Sequence, residues 1–526
     1  MNTEHAHGSK DHLLEYAKRE DFHSGRASDL SGRDRVLYRA LEILPAVLSW
    51  GSLLATVALS YFAPVVAAYF IIAFDLYWLI KTTYLVAHHI HNWKRIKHGM
   101  TVDWGEMLSQ LKHEHVQHLI ILPYYKEPEE VLRASLDSLV AAKYDRSKLL
   151  LVLAAEVRAG AEQTELGERL AAEYAPHFAA TLVTKHPADL PGEAAGKGSN
   201  ISWAAERARV ELLDARGIAY EDVIVSAFDV DTVVYERYFQ CLAWHFLTTE
   251  DRHKASYQPV PFYYNNIWDA PAFSRVVASS GTFWQMIQQE RPEKLVTFSS
   301  HGVSFKALYE VGYWQRNMVS EDSRIFWNLF VANGGNYRVI PIAYPISMDA
   351  NLARTNWQTG VNIYKQQRRW SWGVENLPYV LYHFMRNKTI PLRKRLSVGL
   401  TQMEGYWSLA TNPLFILLLG WLPLVLGGKD FNSSILSYNL PIITRNLMTI
   451  AMAGLIVSAI ISVSLLPQVP TRLSKKASFW VLRLFQWILV PITIVIFGAI
   501  PGLDAQMRLA LGRYMGFWVT PKDKRA

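Results

Sequence analysis

The chain has 526 residues, more than one compact hydrophobic core normally needs, so we expect at least two structural regions. Half of the residues are hydrophobic, yet the mean hydropathy is only +0.04, because apolar ends flank a mixed middle. The net charge is +8 without any recognised nucleic-acid-reading module, which argues against nucleic-acid binding. The single cysteine, Cys241, excludes an intrachain disulfide and a cysteine-based zinc site.

The N-terminal part predicts a cytoplasmic segment followed by a membrane hairpin. Residues 1–40 are polar, and the first apolar run starts too late for a cleaved signal peptide. Two apolar runs, 41–62 and 65–85, each approach the roughly 20 residues that cross a ~30 Å bilayer core. We therefore expect two transmembrane helices in 41–90. Asp75 lies inside the second run, where it is either functional or simply paired near a helix end.

The middle of the chain predicts a soluble α/β domain. A basic, mixed stretch, 91–117, is a plausible interfacial linker to it. Apolar runs such as HLIILPYY, LLLVLAAE and DVIVSAFDVD are typical of buried strands, and the helical pattern EVLRASLDSL falls between the first two. Strands alternating with helices predict a mainly parallel sheet over 118–385, with ligands at the carboxyl ends of its strands.

The C-terminal part is again predicted to lie at or in a membrane. Residues 386–407 are basic and amphipathic, which suits a helix on the membrane surface. Region 408–500 contains three apolar runs, and 501–526 contains a short helical stretch followed by FWVTPK. Basic clusters beside the apolar runs are typical of cytoplasmic loops.

Two carboxylates, Asp229 and Asp231, follow the strand DVIVSAF at positions i and i+2. On a loop, both can turn toward one hard cation, and Mg2+ or Mn2+ held by one or two carboxylates plus substrate phosphates is a common arrangement. A D-x-D pattern arises by chance about once in a chain of this length, so the preceding apolar strand carries the inference. The pattern predicts a metal and nucleotide-diphosphate site.

Of the three Glu-Asp pairs in the chain, only Glu321-Asp322 precedes an apolar and aromatic segment, SRIFWNLF. A carboxylate in such a partly dry site can take a proton from an attacking hydroxyl. The alternative is a negative charge that simply stabilises the start of a helix.

The stretch YKQQRRWSWG contains the most specific pattern, Q-x-x-R-W. On a helix, Gln366, Arg369 and Trp370 fall at i, i+3 and i+4 and share one face. A guanidinium forks onto phosphate oxygens, an indole packs on a sugar face, and an amide bonds a hydroxyl. The face can therefore gather a charged donor and a sugar acceptor.

These motifs together resemble the membrane-integrated glycosyltransferases of family 2, which include cellulose, chitin and hyaluronan synthases. The resemblance implies an α/β fold in which a cytoplasmic GT-A catalytic domain is inserted between transmembrane α-helices. It implies that Asp229 and Asp231 bind metal and donor and that Asp322 is the catalytic base. Gln366, Trp370 and Glu321 would then contact the acceptor, and Arg369 the pyrophosphate.

Weaker matches extend the donor site. PYYKEP resembles the family's P-x-Y-N-E turn, with Tyr125 and Glu127 near the base, although Lys126 replaces the usual asparagine. GKGSN resembles a lysine loop that carries Lys197, and FWVTPK fits the F-x-V-T-x-K gating loop of cellulose synthases through Thr520 and Lys522. One departure is that strand LLLVLAAE ends in Glu156, where the family normally has an aspartate.

The resemblance implies an inverting, multi-pass enzyme of the plasma or inner membrane. The implied donor is a nucleotide sugar, a UDP-sugar, and the implied acceptor is a growing polysaccharide or, alternatively, a lipid that receives a single sugar. A transporter or membrane binding protein with a degenerate transferase domain is a third reading. For FWVTPK to lie on the cytoplasmic side, one of the three C-terminal apolar runs, such as that interrupted by Pro491, should be re-entrant or interfacial.

Overall fold

The structure, a computed structural model, describes residues 14–417, 419–470 and 485–521. Within these residues one sheet has the strand order β3-β2-β1-β4-β7-β6-β8-β5. Its strands are β1 Gln117–Tyr124, β2 Leu149–Glu156, β3 Ala180–His186, β4 Val223–Ala227, β5 Val233–Val234, β6 Ala255–Phe262, β7 His301–Ser304 and β8 Arg338–Ser347.

The sheet has a parallel half and a mixed half. Strands β3, β2, β1 and β4 are parallel neighbours, whereas β7 is antiparallel to both β4 and β6. Every residue of β2 is buried, as expected for a strand covered on both faces. Because β1, β2 and β4 run in the same direction, the segments that follow them meet at one edge of the sheet.

Helices cover both faces of the sheet and connect it to the apolar ends of the chain. From the N-terminus they are α1 Gly32–Phe62, α2 Pro64–Thr101, α3 Trp104–Ser109, α4 Glu129–Ala141, α5 Ala161–Tyr174, α6 Lys197–Ala208, α7 Tyr238–Thr248, α8 Ala272–Gln289, α9 Phe305–Glu310, α10 Glu321–Ala332, α11 Asn356–Ser371 and α12 Asn376–Arg386. The C-terminal helices are α13 Leu392–Leu417, α14 Leu422–Leu426, α15 Gly428–Asn432, α16 Ile435–Leu465, α17 Val490–Ile494 and α18 Ile500–Ala510.

Four helical segments of the described chain are long and apolar enough to cross a membrane, which indicates membrane association. They are α1, α2, α16 and the continuous stretch Gln486–Ala510, which contains α17 and α18. Helix α2 packs along α16, and α1 packs along α18, so the two apolar ends of the chain form one bundle. The predicted arrangement of an α/β domain between apolar helices is thus confirmed.

The C-terminal apolar runs are interrupted at two places, within 408–427 and next to Pro491. Helix α13 ends at Leu417, and the short helices α14 and α15 follow it. Pro491 lies in the first turn of α17, directly after a 3-10 turn at Gln486–Leu489. The stretch Gln486–Ala510 is nevertheless helical over 25 residues.

The polar N-terminal segment is integrated into the domain rather than separate from it. Phe22 is completely buried, and its ring lies edge-on to His383, with centroids 6.3 Å apart. The carbonyl of His23 accepts a hydrogen bond from the Gln315 side chain at 2.8 Å. Residues 14–31 therefore contribute to the hydrophobic core beneath α10 and α12.

Candidate active site

The first turn of α6 places a buried lysine between two of the predicted carboxylates. Lys197 is 8% exposed, and its Nζ donates to Asp229 Oδ1 at 2.6 Å and to Asp322 Oδ1 at 3.1 Å. Asp229 follows β4, and Asp322 lies in the first turn of α10. The lysine loop, the D-x-D pair and the E-D pair, which are far apart in sequence, therefore converge on one ammonium group.

Electrostatics fix the charges at this centre. Burial lowers the pKa of Lys197, but the Asp229 and Asp322 carboxylates outweigh burial and hold that pKa above its ordinary value. Burial raises the pKa of Asp229, yet the Lys197 ammonium outweighs it and keeps that pKa below its usual range. Lys197 therefore stays protonated and Asp229 ionised across physiological pH.

The two aspartates of the D-x-D pair have different surroundings. The Oδ2 atom of Asp229 accepts from the hydroxyl of Ser299, and its backbone N–H donates to Ser300 Oγ at 3.2 Å. Asp231 is 3% exposed, and its Oδ2 accepts from the backbone N–H of Asp349 at 3.0 Å. Residues from the β6–β7 connection and from the segment after β8 thus orient the pair.

At this edge of the sheet, two carboxylates, Asp229 and Asp231, could act as metal ligands. Throughout the described part of the chain, no group of three or more His, Cys, Asp or Glu side chains is arranged to hold a metal ion. Two hard oxygen ligands fit a divalent cation that completes its coordination with substrate phosphates. The residues present are therefore compatible with Mg2+ or Mn2+ at Asp229 and Asp231.

Glu321 lies beneath the centre rather than in open solvent. It is 2% exposed, and a Cβ added at Gly198 would come within 2.9 Å of its Cβ. Burial and the neighbouring Asp322 carboxylate raise the pKa of Glu321 well above its ordinary value. Its Oε2 has no hydrogen-bond partner among the described residues, so a protonated Glu321 retains a free donor or acceptor position.

Helix α11 carries the Q-x-x-R-W residues, and its two adjacent arginines, Arg368 and Arg369, contact different parts of the protein. The guanidinium of Arg369 lies over the Phe517 ring, 5.0 Å from its centroid, and further lowers the pKa of Asp229. Arg368 instead donates to Asp504 Oδ2 at 2.9 Å and so ties α11 to α18. Of the two arginines, it is Arg369 that belongs to the centre.

Trp370 borders the D-x-D pair through a tyrosine that the sequence motifs do not include. Its ring centroid is 5.9 Å from that of Tyr263, with the planes 33° apart, and Trp370 is 41% exposed. Burial, with the nearby Asp229 and Asp231, raises the pKa of Tyr263. Gln366 lies one turn earlier on α11 and is half-buried. This side of the site presents an accessible aromatic surface next to the carboxylates.

The FWVTPK segment reaches the same centre from the C-terminal end. A Cβ added at Gly196 would lie 2.9 Å from Phe517 Cβ, so the glycine allows Phe517 to pack directly on the loop before Lys197. Thr520 is 7% exposed, and its hydroxyl has no hydrogen-bond partner among the described residues. Lys522 lies outside the described residues.

The other predicted donor residues lie at the ends of β1 and β2. The backbone N–H of Tyr125 donates to Glu127 Oε2 at 2.7 Å, which closes the turn after β1. Glu156 is 4% exposed and pairs with Arg158, whose guanidinium lies 5.9 Å from the Tyr125 ring centroid. The Lys126 ammonium also lies over this ring, 5.3 Å from the centroid. These residues form a cluster of paired charges at the ends of β1 and β2.

A buried polar network that the motifs did not reveal holds α10 in place. Arg324 is completely buried and donates to Asn376 Oδ1 at 2.7 Å, to the Glu375 carbonyl at 3.1 Å and to the Ser24 carbonyl at 3.2 Å. Glu375 Oε1 accepts from the backbone N–H of Ser320 at 3.0 Å, at the start of α10. The segment after Q-x-x-R-W therefore anchors the helix that begins with Glu321-Asp322. An arginine inside the apolar run SRIFWNLF was the available sequence signal.

Structural comparison finds distant likenesses to solved glycosyltransferases. The mannosyltransferase PcManGT from Pyrobaculum calidifontis, solved with GDP-Man and Mn2+, is 14% identical, with 81% of this chain and 99% of that chain covered and a TM-score of 0.38. Residues 1–349 of S. aureus TarS, solved with UDP-GlcNAc, are 12% identical, with 66% and 91% covered and a TM-score of 0.33. A comparison with curated protein sequences gave no match.

The family comparison is more direct. Residues 224–500 match the family model described as glycosyl transferase family group 2, which is more than half of the chain. The match begins within β4, just before the D-x-D pair, and includes the E-D pair, the Q-x-x-R-W helix and α16. The mixed, helix-covered sheet is typical of the GT-A fold. The chain therefore belongs to glycosyl transferase family group 2 and is a glycosyltransferase.

Proposed function

We propose that this glycosyltransferase moves a sugar from a nucleotide-diphosphate donor, a UDP-sugar, to the end of a growing polysaccharide, with inversion at the transferred carbon. The observation that carries the proposal is the contact of one buried ammonium, Lys197, with both Asp229 and Asp322. It brings the donor-binding carboxylate and the base within one sugar's length of each other. Substrate positioning of this kind can supply a large part of a rate enhancement.

Asp229 and Asp231 would hold the divalent cation, Mg2+ or Mn2+, together with the diphosphate. When bound, the cation would supply positive charge that offsets the charge developing on the leaving diphosphate. Lys197 and Arg369 contribute fixed cationic charge at the same place, and so would Lys522. Lys197 and Arg369 need not move during the reaction, because Lys197 is buried and Arg369 is packed against Phe517.

The transfer itself is a displacement with a simple balance of bonds. The acceptor hydroxyl loses its proton to the Asp322 carboxylate and forms a bond to the anomeric carbon of the donor sugar. The bond from that carbon to the diphosphate breaks, and the nucleoside diphosphate leaves with its electron pair. Protonated Glu321, directly beside Asp322, is placed to hydrogen-bond the acceptor.

The acceptor would lie on the aromatic side of the site. Trp370 is accessible and, with Tyr263, forms a surface on which a sugar's C–H face can pack. Gln366 lies one turn away on the same helix and can bond a hydroxyl. Because the acceptor approaches opposite the diphosphate, this side is consistent with in-line attack.

We further propose a multi-pass protein of the plasma or inner membrane with its catalytic domain in the cytoplasm. Helix α16 lies parallel to α2, because Leu440 packs near Ile71 at one end and Ser458 bonds His89 at the other, so the segment from α13 to α15 would cross the membrane before α16. Gln486–Ala510 would then begin and end on the side of the catalytic domain, since Arg275 bonds Gln486 and Arg39 bonds the Ala510 carbonyl, and Phe517 meets Gly196 and Arg369 there. In the cytoplasm, the catalytic domain would have access to the nucleotide sugar. The membrane helices beside the site would offer a polymer a route across the membrane.

The experiment is a donor panel with the purified full chain. UDP- and GDP-sugars are offered with Mg2+, with Mn2+ and with a chelator, and product linkage and length are measured. We expect transfer from one UDP-sugar, loss of transfer with the chelator, and a ladder of oligomers. A product limited to one sugar on a lipid would replace the polymer assignment by the lipid-acceptor alternative. Transfer undiminished by the chelator would remove the metal from the proposal.

A further inference from the structure

A cavity of about 420 Å³ lies between α13 and the catalytic domain, away from the Lys197 centre. Its catalytic-domain wall contains three aromatic residues of α10, namely Phe326, Trp327 and Phe330. Its opposite wall is the first half of α13, including Arg393 and Val398. Lys294, from the segment before β7, also lines it. The cavity thus has an apolar interior and basic residues among its walls.

Two of these cations have no anionic partner. Lys294 and Arg393 form no ion pair or side-chain hydrogen bond among the residues that the structure describes. Burial and the nearby Arg291 lower the pKa of Lys294, although the Glu404 and Glu293 carboxylates act in the opposite direction. A third cation, Lys394, donates to the Gly335 carbonyl at 2.5 Å and is already satisfied. An anion next to Lys294 would offset part of the cost of its burial, and the exposed Arg393 lies in the wall of the same cavity.

The opposite face of the same helix is apolar and exposed. Leu392, Leu396 and Leu400 recur every four residues and are 60%, 55% and 61% exposed. Such a stripe beside basic residues is typical of a helix that lies on an anionic membrane surface. With the membrane placement proposed above, on which this step rests, the cavity opens at the level of the lipid head groups.

We propose that this cavity is a binding site for one anionic phospholipid. The phosphate would lie between Lys294 and Arg393, and an acyl chain would cover Phe326 and Phe330. The cavity contains one acidic residue, Glu293, against three basic ones, so its charge favours an anionic over a zwitterionic head group. Its apolar interior favours a lipid over a free phosphate.

The site has a direct structural connection to the reaction centre. The helix that forms the apolar wall, α10, begins with Glu321-Asp322. A lipid chain in the cavity would add packing to the side of α10 opposite Arg324, where Phe326 and Phe330 are already largely buried. Occupation is thus expected to stabilise the position of the base rather than to contribute to the chemistry.

The test uses the full chain, purified in detergent and stripped of lipid, with equal amounts of phosphatidylglycerol and phosphatidylcholine. Retained lipids are identified by native mass spectrometry. We expect preferential retention of phosphatidylglycerol, reduced roughly 30-fold in the double variant K294Q/R393Q, since each of the two cations contributes on the order of 1 kcal/mol toward anionic lipid. V398W should also reduce the retention of phosphatidylglycerol, because the larger side chain fills the cavity without changing its charge.

The matched control is K388Q/R146Q, which removes the same charge from two exposed positions outside the cavity. Equal loss in the control, or no preference in the original chain, would overturn the proposal. So would full displacement by glycerol phosphate, which would assign the site to a free phosphate. Thermal unfolding verifies that each variant is folded. Sugar transfer is measured on the same samples. Transfer without lipid preference would contradict only the lipid site, whereas absence of transfer would contradict the proposed function.

Discussion

The reaction centre and the donor region beside it are built in opposite ways. At the centre, Lys197, Asp229 and Asp322 come from three distant segments, and none has its charge satisfied without the others. At the ends of β1 and β2, the charges are paired with near neighbours, as Glu156 is with Arg158. Long-range convergence makes the centre sensitive to any single change, whereas local pairing leaves the donor region able to tolerate substitutions.

The largest effect is expected from Asp322→Asn. An amide cannot accept the proton of the acceptor hydroxyl, so transfer should fall about 10²- to 10⁴-fold while donor affinity changes little. Transfer is measured by nucleotide release and donor binding by calorimetry. D251N is the matched control, because Asp251 belongs to another Glu-Asp pair whose side chain is 59% exposed. Turnover of D322N near that of D251N would remove Asp322 from the role of base.

Two adjacent arginines allow a second comparison. Arg369→Gln removes a cation from the centre and should lower kcat about 10²- to 10³-fold. Arg368→Gln breaks only the partly exposed pair with Asp504 and should cost about 1 kcal/mol or less of stability, with near-normal kcat. Kinetics and chemical unfolding of both variants are measured together. Similar kcat losses in the two would show that α11 acts only through its packing.

The donor region should respond mainly in KM. Glu156→Gln keeps the shape of the side chain but weakens its pair with Arg158 and any contact with the nucleoside. One charged hydrogen bond corresponds to roughly a tenfold change in affinity, so KM for the donor should rise about tenfold at unchanged kcat. Steady-state kinetics with varied donor checks this. A loss confined to kcat would place Glu156 at the reaction centre instead.

The smallest effect is a change in how stability depends on pH. Because the pKa of Glu321 is raised, its contribution is fully present below the ordinary glutamate pKa and is lost as pH rises through the raised value. Glu321→Gln mimics the protonated acid and removes this loss, which approaches ~1.4 kcal/mol per pH unit. Melting temperatures should therefore agree at low pH and favour the variant at high pH. Parallel curves would mean that Glu321 is ionised in the folded protein.

Local patterns predicted much of the fold correctly. Continuous apolar runs gave β1, β2 and β4 because strands covered on both faces require apolar residues at nearly every position. The E-D pair falls in the first turn of α10, as the helix-start alternative predicts, and the role of Asp322 as base stays a prediction. The patterns missed Arg324 and Glu375, because a buried ion and its distant partners leave no periodic signal.

By itself, the sequence determined the α/β class, the apolar ends and the residue types that chemistry needs, since each depends on composition and on spacing within one element. Only the tertiary structure decided which of two neighbouring arginines faces the centre, that Lys197 joins Asp229 to Asp322, and that Phe517 packs on Gly196. Those outcomes depend on how separate segments pack against one another, and the free energy of that packing is not contained in any local pattern.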